Sequence, residues 1–223
     1  MESIYYKKQK YLVVKFKNAQ EAFEYYYTLI SINGLPKSNN LFLNNVGFYI
    51  DNPENNLIKT HWRKWNENYA KLEYAWYLSK DRKVSNIKKH AKIWDKMHNG
   101  DDVVNSNYGY QWHRNNQLGN AIEALRHDKE TRRAVISIYD GKEHKDYNKD
   151  TPCTLSITFN ILDNKLNMTV LMRSNDLWFG FCNDQYCFSR LQIDVAKLLG
   201  ISTGWYYHFA NDLHIYNNKL GKC

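Results

Sequence analysis

Thr151-Pro152-Cys153-Thr154 leads into Leu155-Ser156-Ile157-Thr158-Phe159-Asn160-Ile161. After Asp163-Asn164-Lys165 the chain continues as Leu166-Asn167-Met168-Thr169-Val170-Leu171-Met172 and ends in Arg173-Ser174-Asn175-Asp176. Both apolar runs alternate with period two, the mark of strands with one buried face, and the polar residues between them read as the turn of a hairpin. Paired in this way, the strands hold the Cys153 thiol and the Arg173 guanidinium in one sheet. A nucleophile and a cation on one rigid element form a site able to bind an anionic ligand and attack it.

The 223 residues are 43% hydrophobic and contain no linker rich in Pro, Gly or Ser, so one domain over 1–223 is expected. The cysteines at 153, 182, 187 and 223 form neither a C-x-x-C pair nor a zinc spacing, so no metal is expected. The start, Met1-Glu2-Ser3-Ile4-Tyr5-Tyr6-Lys7-Lys8, has no apolar signal core, and no run approaches the roughly 18 apolar residues of a bilayer span. A reduced, soluble, cytoplasmic protein with no membrane partner is the expectation. The net charge of +8 suits anionic partners, yet Lys7, Lys8, Lys10, Lys15 and Lys17 read equally well as a solvated face. Seven Trp and eighteen Tyr could stack on bases, but at this density they more often fill a core.

Taken in order, 10–16 reads as a strand, 19–32 as an amphipathic helix, and 41–50 as a strand interrupted at Asn44-Asn45. A long helix is expected over 57–79, with Trp62, Trp65, Tyr69, Leu72, Trp76 and Tyr77 as its stripe. Glu73 stands one turn before Trp76 on that apolar face, where burial raises a carboxyl's proton affinity and suits it to acid–base work. An ordinary carboxylate at the edge of the core is the competing reading. A second helix is expected from about 85 to 95, and the aperiodic stretch 105–112 reads as a loop of the kind that lines sites. A helix over 117–128 then precedes a strand over 130–139 that opens with Arg132-Arg133, while 140–150 reads as an exposed polar loop. A helix capped by Asn183 is expected to end at Gly200, ahead of strands that place His214 and Tyr216 on one face.

Together these pieces resemble the thymidylate synthase superfamily. The resemblance rests on Glu73-x-x-Trp76, Ile93-Trp94-Asp95, Tyr108-Gly109-x-Gln111-Trp112, Arg132-Arg133, Pro152-Cys153, Arg173-Ser174-x-Asp176, Gly180 and Asp212-x-His214-Ile215-Tyr216-x-Asn218. It covers about 72–220. Residues 1–60 form a diverged N-terminal part, in which the phosphate-binding arginine loop of synthases is not found. The resemblance implies an α/β (α+β) fold in which a mixed sheet packs with helices and one sheet face forms a homodimer interface.

Within the superfamily the chain is most similar to the phage-type deoxycytidylate hydroxymethylase branch. Eight residues after Asp176, where synthases carry asparagine, stands Asp184, and Thr154 follows the nucleophile where synthases usually carry histidine. Cytosine offers a ring nitrogen acceptor and an amino donor, which a protonated carboxyl satisfies; uracil's inverted pattern suits an amide.

The resemblance implies that Cys153 adds to C6 of a pyrimidine nucleoside monophosphate, whose C5 then takes a one-carbon unit from 5,10-methylenetetrahydrofolate. Water completes the hydroxymethyl group. It implies Glu73 as the residue that positions this water and Tyr108 and Asp184 as catalytic partners. Arg173 and Ser174 are implied for the phosphate, and Arg173 with the arginine cluster around the bound substrate as the source of the charge that activates the thiol. Arg132 and Arg133 would reach that phosphate from the partner subunit of an obligate homodimer. Asp184, His214 and Tyr216 are implied for base and sugar, and Asp176 and Trp94 for the folate. A uridylate hydroxymethylase, a thymidylate synthase and a ribonucleotide-level cytidylate hydroxymethylase remain alternatives, as does a non-catalytic nucleotide-binding relative. Nucleic acid is not the expected partner, since a nucleic-acid binder has no use for Cys153, Arg173, Asp184 and His214 at these spacings.

Overall fold

The computed structural model describes residues 4–6, 9–11, 14–97, 101–146 and 150–222. β1 (Ile4–Tyr6) and β2 (Gln9–Tyr11) pair with each other outside the main sheet. β3 (Lys15–Phe16) is short, so the strand expected over 10–16 is divided, with residues 12 and 13 outside the described ones. α1 (Ala19–Asn33) begins where the Asn18 side chain accepts from the Glu21 amide, and it buries Ala22, Phe23, Tyr26 and Ile30 along one stripe. β4 (Leu35–Lys37) and β5 (Asn40–Ile50) follow. Asn45 does not interrupt β5 as expected; it takes a φ of 52° within a continuous strand, a conformation that asparagine tolerates.

The helix expected over 57–79 is half that length. α2 runs from Glu67 to Ser79, because Asn66 caps it by accepting from the Tyr69 amide and Lys64 just before it takes a φ of 49°. Trp62 and Trp65 therefore leave the helical stripe. Trp62 packs on Tyr27 and Phe23, and Trp65 donates its indole N–H to Asn183. The helix expected over 85–95 is replaced by a 3-10 turn at Val84–Asn86 and by α3 (Trp94–Met97). Between 84 and 93 only Val84 and Ile87 are buried, too little apolar contact to hold a helix through Lys88, Lys89, His90 and Lys92.

α4 (Tyr108–His113) organises what reads as an aperiodic loop, and α5 (Gln117–His127) falls where expected. β6 (Val135–Ser137) is shorter than the strand expected over 130–139, so Arg132 and Arg133 sit on irregular backbone ahead of it. The loop after it is not wholly exposed: His144 and Asp150 are buried, and 147–149 lie outside the described residues. β7 (Thr154–Leu162) and β8 (Lys165–Met172) form the expected hairpin, joined by Asp163 and Asn164 at φ 51° and 55°, the two-residue turn that matches strand twist. β9 (Asn175–Asp176) leads through a π-helical turn at Leu177–Phe181 into α6 (Cys182–Leu199). Asn183 lies inside α6 rather than capping it; the side chain that caps this region is Asp176, which accepts from Trp178 and Phe179. Gly200, at φ 68°, ends α6, and β10 (Ser202–Tyr216) is one continuous strand.

The main sheet is mixed and has eight strands among the described residues, in the order β3-β5-β10-β8-β7-β6, with β4 beside β5 and β9 beside β10. β10 occupies its middle, antiparallel to β5 and parallel to β8. The side chains of β10 alternate accordingly: Tyr206, His208 and Ala210 are fully buried, while Trp205, Tyr207 and Phe209 point to the opposite face and stay half-exposed. The aromatic content fills the interior, as in the contacts of Phe48 with Tyr26, Phe181 and His208. Among the described residues no helix is long and apolar enough to cross a membrane.

Candidate active site

Cys153 stands one residue ahead of β7, where its carbonyl accepts the Arg173 amide at 2.8 Å and so brings the two side chains together. The Arg173 guanidinium reaches to 3.8 Å from Sγ while donating to the carbonyls of Pro152 (3.0 Å) and Thr151 (2.8 Å). Burial pushes the thiol up to about 11, with Arg173 opposing that rise. Arg173 alone does not bring the thiol below its ordinary value, because desolvation of a thiolate outweighs one partly engaged cation, and the expected activation calls for the further arginines of the cluster. Cys153 carries no disulfide. Behind it, the Thr154 amide donates to the buried Tyr108 hydroxyl at 3.3 Å, which fixes that ring beneath the nucleophile. Ser174 is half-buried beside Arg173.

Two carboxyl groups from two helices occupy the interior next to this corner. Glu73 on α2 is 5% exposed; burial, and then the proximity of Asp184, raises its pKa to about 8. One oxygen, Oε1, accepts from the Tyr69 hydroxyl at 3.0 Å, and Tyr69 in turn accepts from the Trp94 indole at 2.9 Å. The other, Oε2, is buried and makes no hydrogen bond of ordinary geometry among the described residues, although the Tyr77 hydroxyl is close enough to favour the charged form of the carboxyl. Asp184 on α6 is raised to about 7, chiefly by burial, while a hydrogen bond from the Asn175 amide to its Oδ2 (2.8 Å) favours the charged form. Its charge also acts on Cys153 and on Tyr108. Gly180 makes room for the pair: a Cβ there would stand 2.9 Å from Asn175 Nδ2 and 3.3 Å from Asp184 Oδ2.

The sheet closes the site from the other side. β9 pairs with β10 so that Asp176 is opposite His214. His214 Nδ1 lies 2.8 Å from Asp212 Oδ1, and Asp212 Oδ2 takes the Lys37 ammonium at 2.9 Å. A carboxylate on Nδ1 leaves Nε2 of the neutral ring as an acceptor. The Tyr216 ring meets His214 edge to face at 5.3 Å, and the charges of Asp176 and Cys153 both act on its hydroxyl. Asp176 is pushed up by burial and drawn back by His214 and by the amides it caps. Arg63 fixes the same turn. It is buried, donates twice to the Trp178 carbonyl (3.0 and 2.6 Å) and lies over the Trp178 ring at 4.7 Å.

Cys153, Arg173, Tyr108, Glu73, Asp184, Asp176, His214 and Tyr216 thus converge, linked by hydrogen bonds, by strand register or by the action of one charge on another. Trp94 joins them through Tyr69, its indole N–H already engaged and its ring 5.0 Å from Trp76. Arg132 and Arg133 do not join this cluster. They are exposed ahead of the edge strand β6 and line an open cleft with His127, Asp128 and Glu130. Sequence reading missed Tyr69 as a partner, although it lies one turn before Glu73 on the same face. It also missed Asn175 and Arg63, which act through side chains distant in sequence. Among the described residues no group of three or more His, Cys, Asp or Glu is arranged to hold a metal ion.

A family model described as thymidylate synthase matches residues 38–223. A deoxyuridylate hydroxymethyltransferase of Delftia phage PhiW-14 is 33% identical over 193 residues, 78% of this chain and 53% of its own length. One of Pseudomonas phage M6 is 28% identical over 224 residues, 94% of this chain and 63% of its own. A deoxycytidylate 5-hydroxymethyltransferase of Enterobacteria phage T4 is 34% identical over 137 residues, 58% of this chain and 55% of its own. The chain therefore spans a little over half of the length of these relatives.

Proposed function

The chain belongs to the thymidylate synthase family, and from that premise we propose that it adds a hydroxymethyl group to C5 of deoxycytidine 5′-monophosphate. The observation that carries the reading is Asp184, a half-buried carboxyl balanced near neutrality at about 7 and within electrostatic reach of the Cys153 thiol. A group that holds or releases a proton at neutral pH can complete the edge of cytosine, provided that the oxygen facing ring position 3 carries the proton and the other accepts from the amino group. Cys153 attacks C6, and the proton shared between Asp184 and the ring makes that carbon more electrophilic. Arg173 turns from the loop carbonyls to the phosphate while its guanidinium stays beside Sγ, and Arg132 and Arg133 of a second copy add the further positive charge that offsets the phosphate and lets the thiolate form. Methylenetetrahydrofolate supplies the one-carbon unit. The site fits a folate, since the Asp176 carboxylate is held by two amides as an acceptor for ring N–H groups and Phe179, 49% exposed, offers a stacking surface. Glu73 Oε2 holds the water that completes the product, and His214 Nε2 accepts from the sugar hydroxyl.

The exposed doublet fits the same reading. Arg132 and Arg133 reach the phosphate of a second copy across an interface built on the face that carries Trp205, Tyr207 and Phe209. A uracil-specific hydroxymethylase is the second reading, favoured by the two relatives named for deoxyuridylate, which match more of this chain than the one named for deoxycytidylate. Incubation with methylenetetrahydrofolate and either dCMP, dUMP or CMP, followed by mass analysis, separates these. Hydroxymethyl-dCMP supports the proposal; hydroxymethyl-dUMP selects the second reading; thymidylate with dihydrofolate overturns both.

A further inference from the structure

A lone carboxyl group cannot tell cytosine from uracil. In its neutral form it offers one donor and one acceptor, and the two oxygens exchange these roles by moving the proton. Cytosine needs the donor at ring position 3 and the acceptor at position 4; uracil needs the reverse. Discrimination requires something that fixes which oxygen carries the proton.

Asn175 is placed to do this. Its amide donates to Asp184 Oδ2 at 2.8 Å, and an oxygen that accepts a hydrogen bond at that distance is the poorer seat for a proton. Asn175 is itself only 2% exposed, and its backbone is tied into the sheet by the pairing of β9 with Leu213 of β10. Its own carbonyl oxygen is buried with no partner among the described residues, so the amide is held by the contact with Asp184 alone. The missing side chain of Gly180 is the second sign of a built arrangement, since a methyl group there would press on both members of the pair. Other charges act on the neighbourhood from Glu73, Asp176 and Cys153, and the Tyr77, Tyr108 and Tyr206 hydroxyls are close by. Among the described residues, however, Asn175 is the group that hydrogen-bonds to one particular oxygen of Asp184.

We propose that Asn175 is the positioning residue for base choice: by fixing Asp184 Oδ2 as an acceptor it confines the proton to Oδ1, so that the carboxyl presents a single donor–acceptor pattern to the substrate. The inference rests on the reading of this site as a pyrimidine pocket. No covalent step is involved; Asn175 touches neither substrate nor thiol and acts through Asp184.

The test measures dCMP and dUMP dissociation constants by calorimetry for the wild type, Asn175→Leu and Asn175→Ser, from about pH 6 to about pH 9. Leu preserves the volume of Asn and removes the amide, while Ser removes it with less crowding, so at least one variant should remain folded by circular dichroism. The wild type is expected to prefer one base, and both variants to lose about tenfold or more of that preference, the order of one mispaired buried hydrogen bond. The pH at which the preference fades is expected to move upwards in the variants, because the amide favours the charged form of Asp184. A folded variant with the wild-type preference and pH profile overturns the proposal and leaves the pyrimidine reading intact. A wild type that binds neither nucleotide overturns that reading instead. If both variants unfold, the wild-type profile decides: a preference constant across this range overturns the proposal, because a confined proton must leave Asp184 within it.

Discussion

Burial raises Glu73 to about 8 and the half-buried Asp184 to about 7, and the charge of Asp184 adds to the rise at Glu73. Each pKa is raised above its ordinary carboxylate value. The stability that each contributes is therefore full at low pH and is lost as pH rises through the folded value. Between about pH 5 and about pH 8 the wild type is expected to lose stability relative to Glu73→Gln and Asp184→Asn, as measured by urea denaturation; parallel curves would show that neither carboxyl is buried as described. The Tyr69 hydroxyl favours the charged form of Glu73. Tyr69→Phe is therefore expected to move the Glu73-dependent limb of the pH–rate profile upwards by about one unit and to lower kcat more than it changes KM. Cys153→Ser is expected to abolish turnover while nucleotide binding by calorimetry stays within about threefold of wild type. The pairing of Cys153 with Arg173 was legible in the sequence because both flank one alternating hairpin, whereas Asp184 was singled out only through the family resemblance. Asn175 was not legible, because an asparagine acquires its role only from the carboxyl that folds against it.

At the scale of elements, regularity made some segments readable and hidden caps made others unreadable. The β7–β8 hairpin alternates over most of its length and carries Asp-Asn at its turn, so pairing and turn agree, and the register slips only between Thr154 and Ser156, next to Cys153. Because Asn164 has a φ of 55°, Asn164→Gly is expected to raise the melting temperature modestly and Asn164→Val to lower it, the difference amounting to about 1–2 kcal/mol. The aromatic stripe from Trp62 to Tyr77 continues without a break in sequence, yet α2 begins only at Glu67. Asn66→Ala tests what stops it and should cost about 1 kcal/mol of stability by chemical denaturation. What periodicity cannot convey is that Trp62 and Trp65 have better partners in α1 and α6 than along their own helix.

For the whole molecule, the half-exposed Trp205, Tyr207 and Phe209 raise the question of what covers them. Tyr207 lies across Gly47 of β5, whose missing side chain makes the space: a Cβ there would meet the Tyr207 hydroxyl, and Phe209 would be 3.2 Å away. If two copies pair on this face as proposed, Gly47→Val or Tyr207→Lys should leave the protein monomeric in sedimentation and abolish turnover, because Arg132 and Arg133 would no longer reach a phosphate; a wild type that sediments as a monomer overturns the pairing. Mixing Arg132→Ala with Cys153→Ser subunits should restore activity to about a quarter of wild type if shared sites form at random; no recovery would show that the doublet serves another purpose. The mixed sheet and its helices were expected from the residues that resemble the family. The separate β1–β2 pair was not, since the sequence there suggested only a single strand.

The central position of β10 also bears on how the molecule is made. β5 and the β7–β8 hairpin are its two neighbours, and neither can join the other until residues 202–216 are available to lie between them. During synthesis both wait with open edges for a strand that is made after either of them, and the partly built sheet is exposed to pairing with other chains. Asp176 and His214 meet only through that strand, so the pocket cannot form before it is in place.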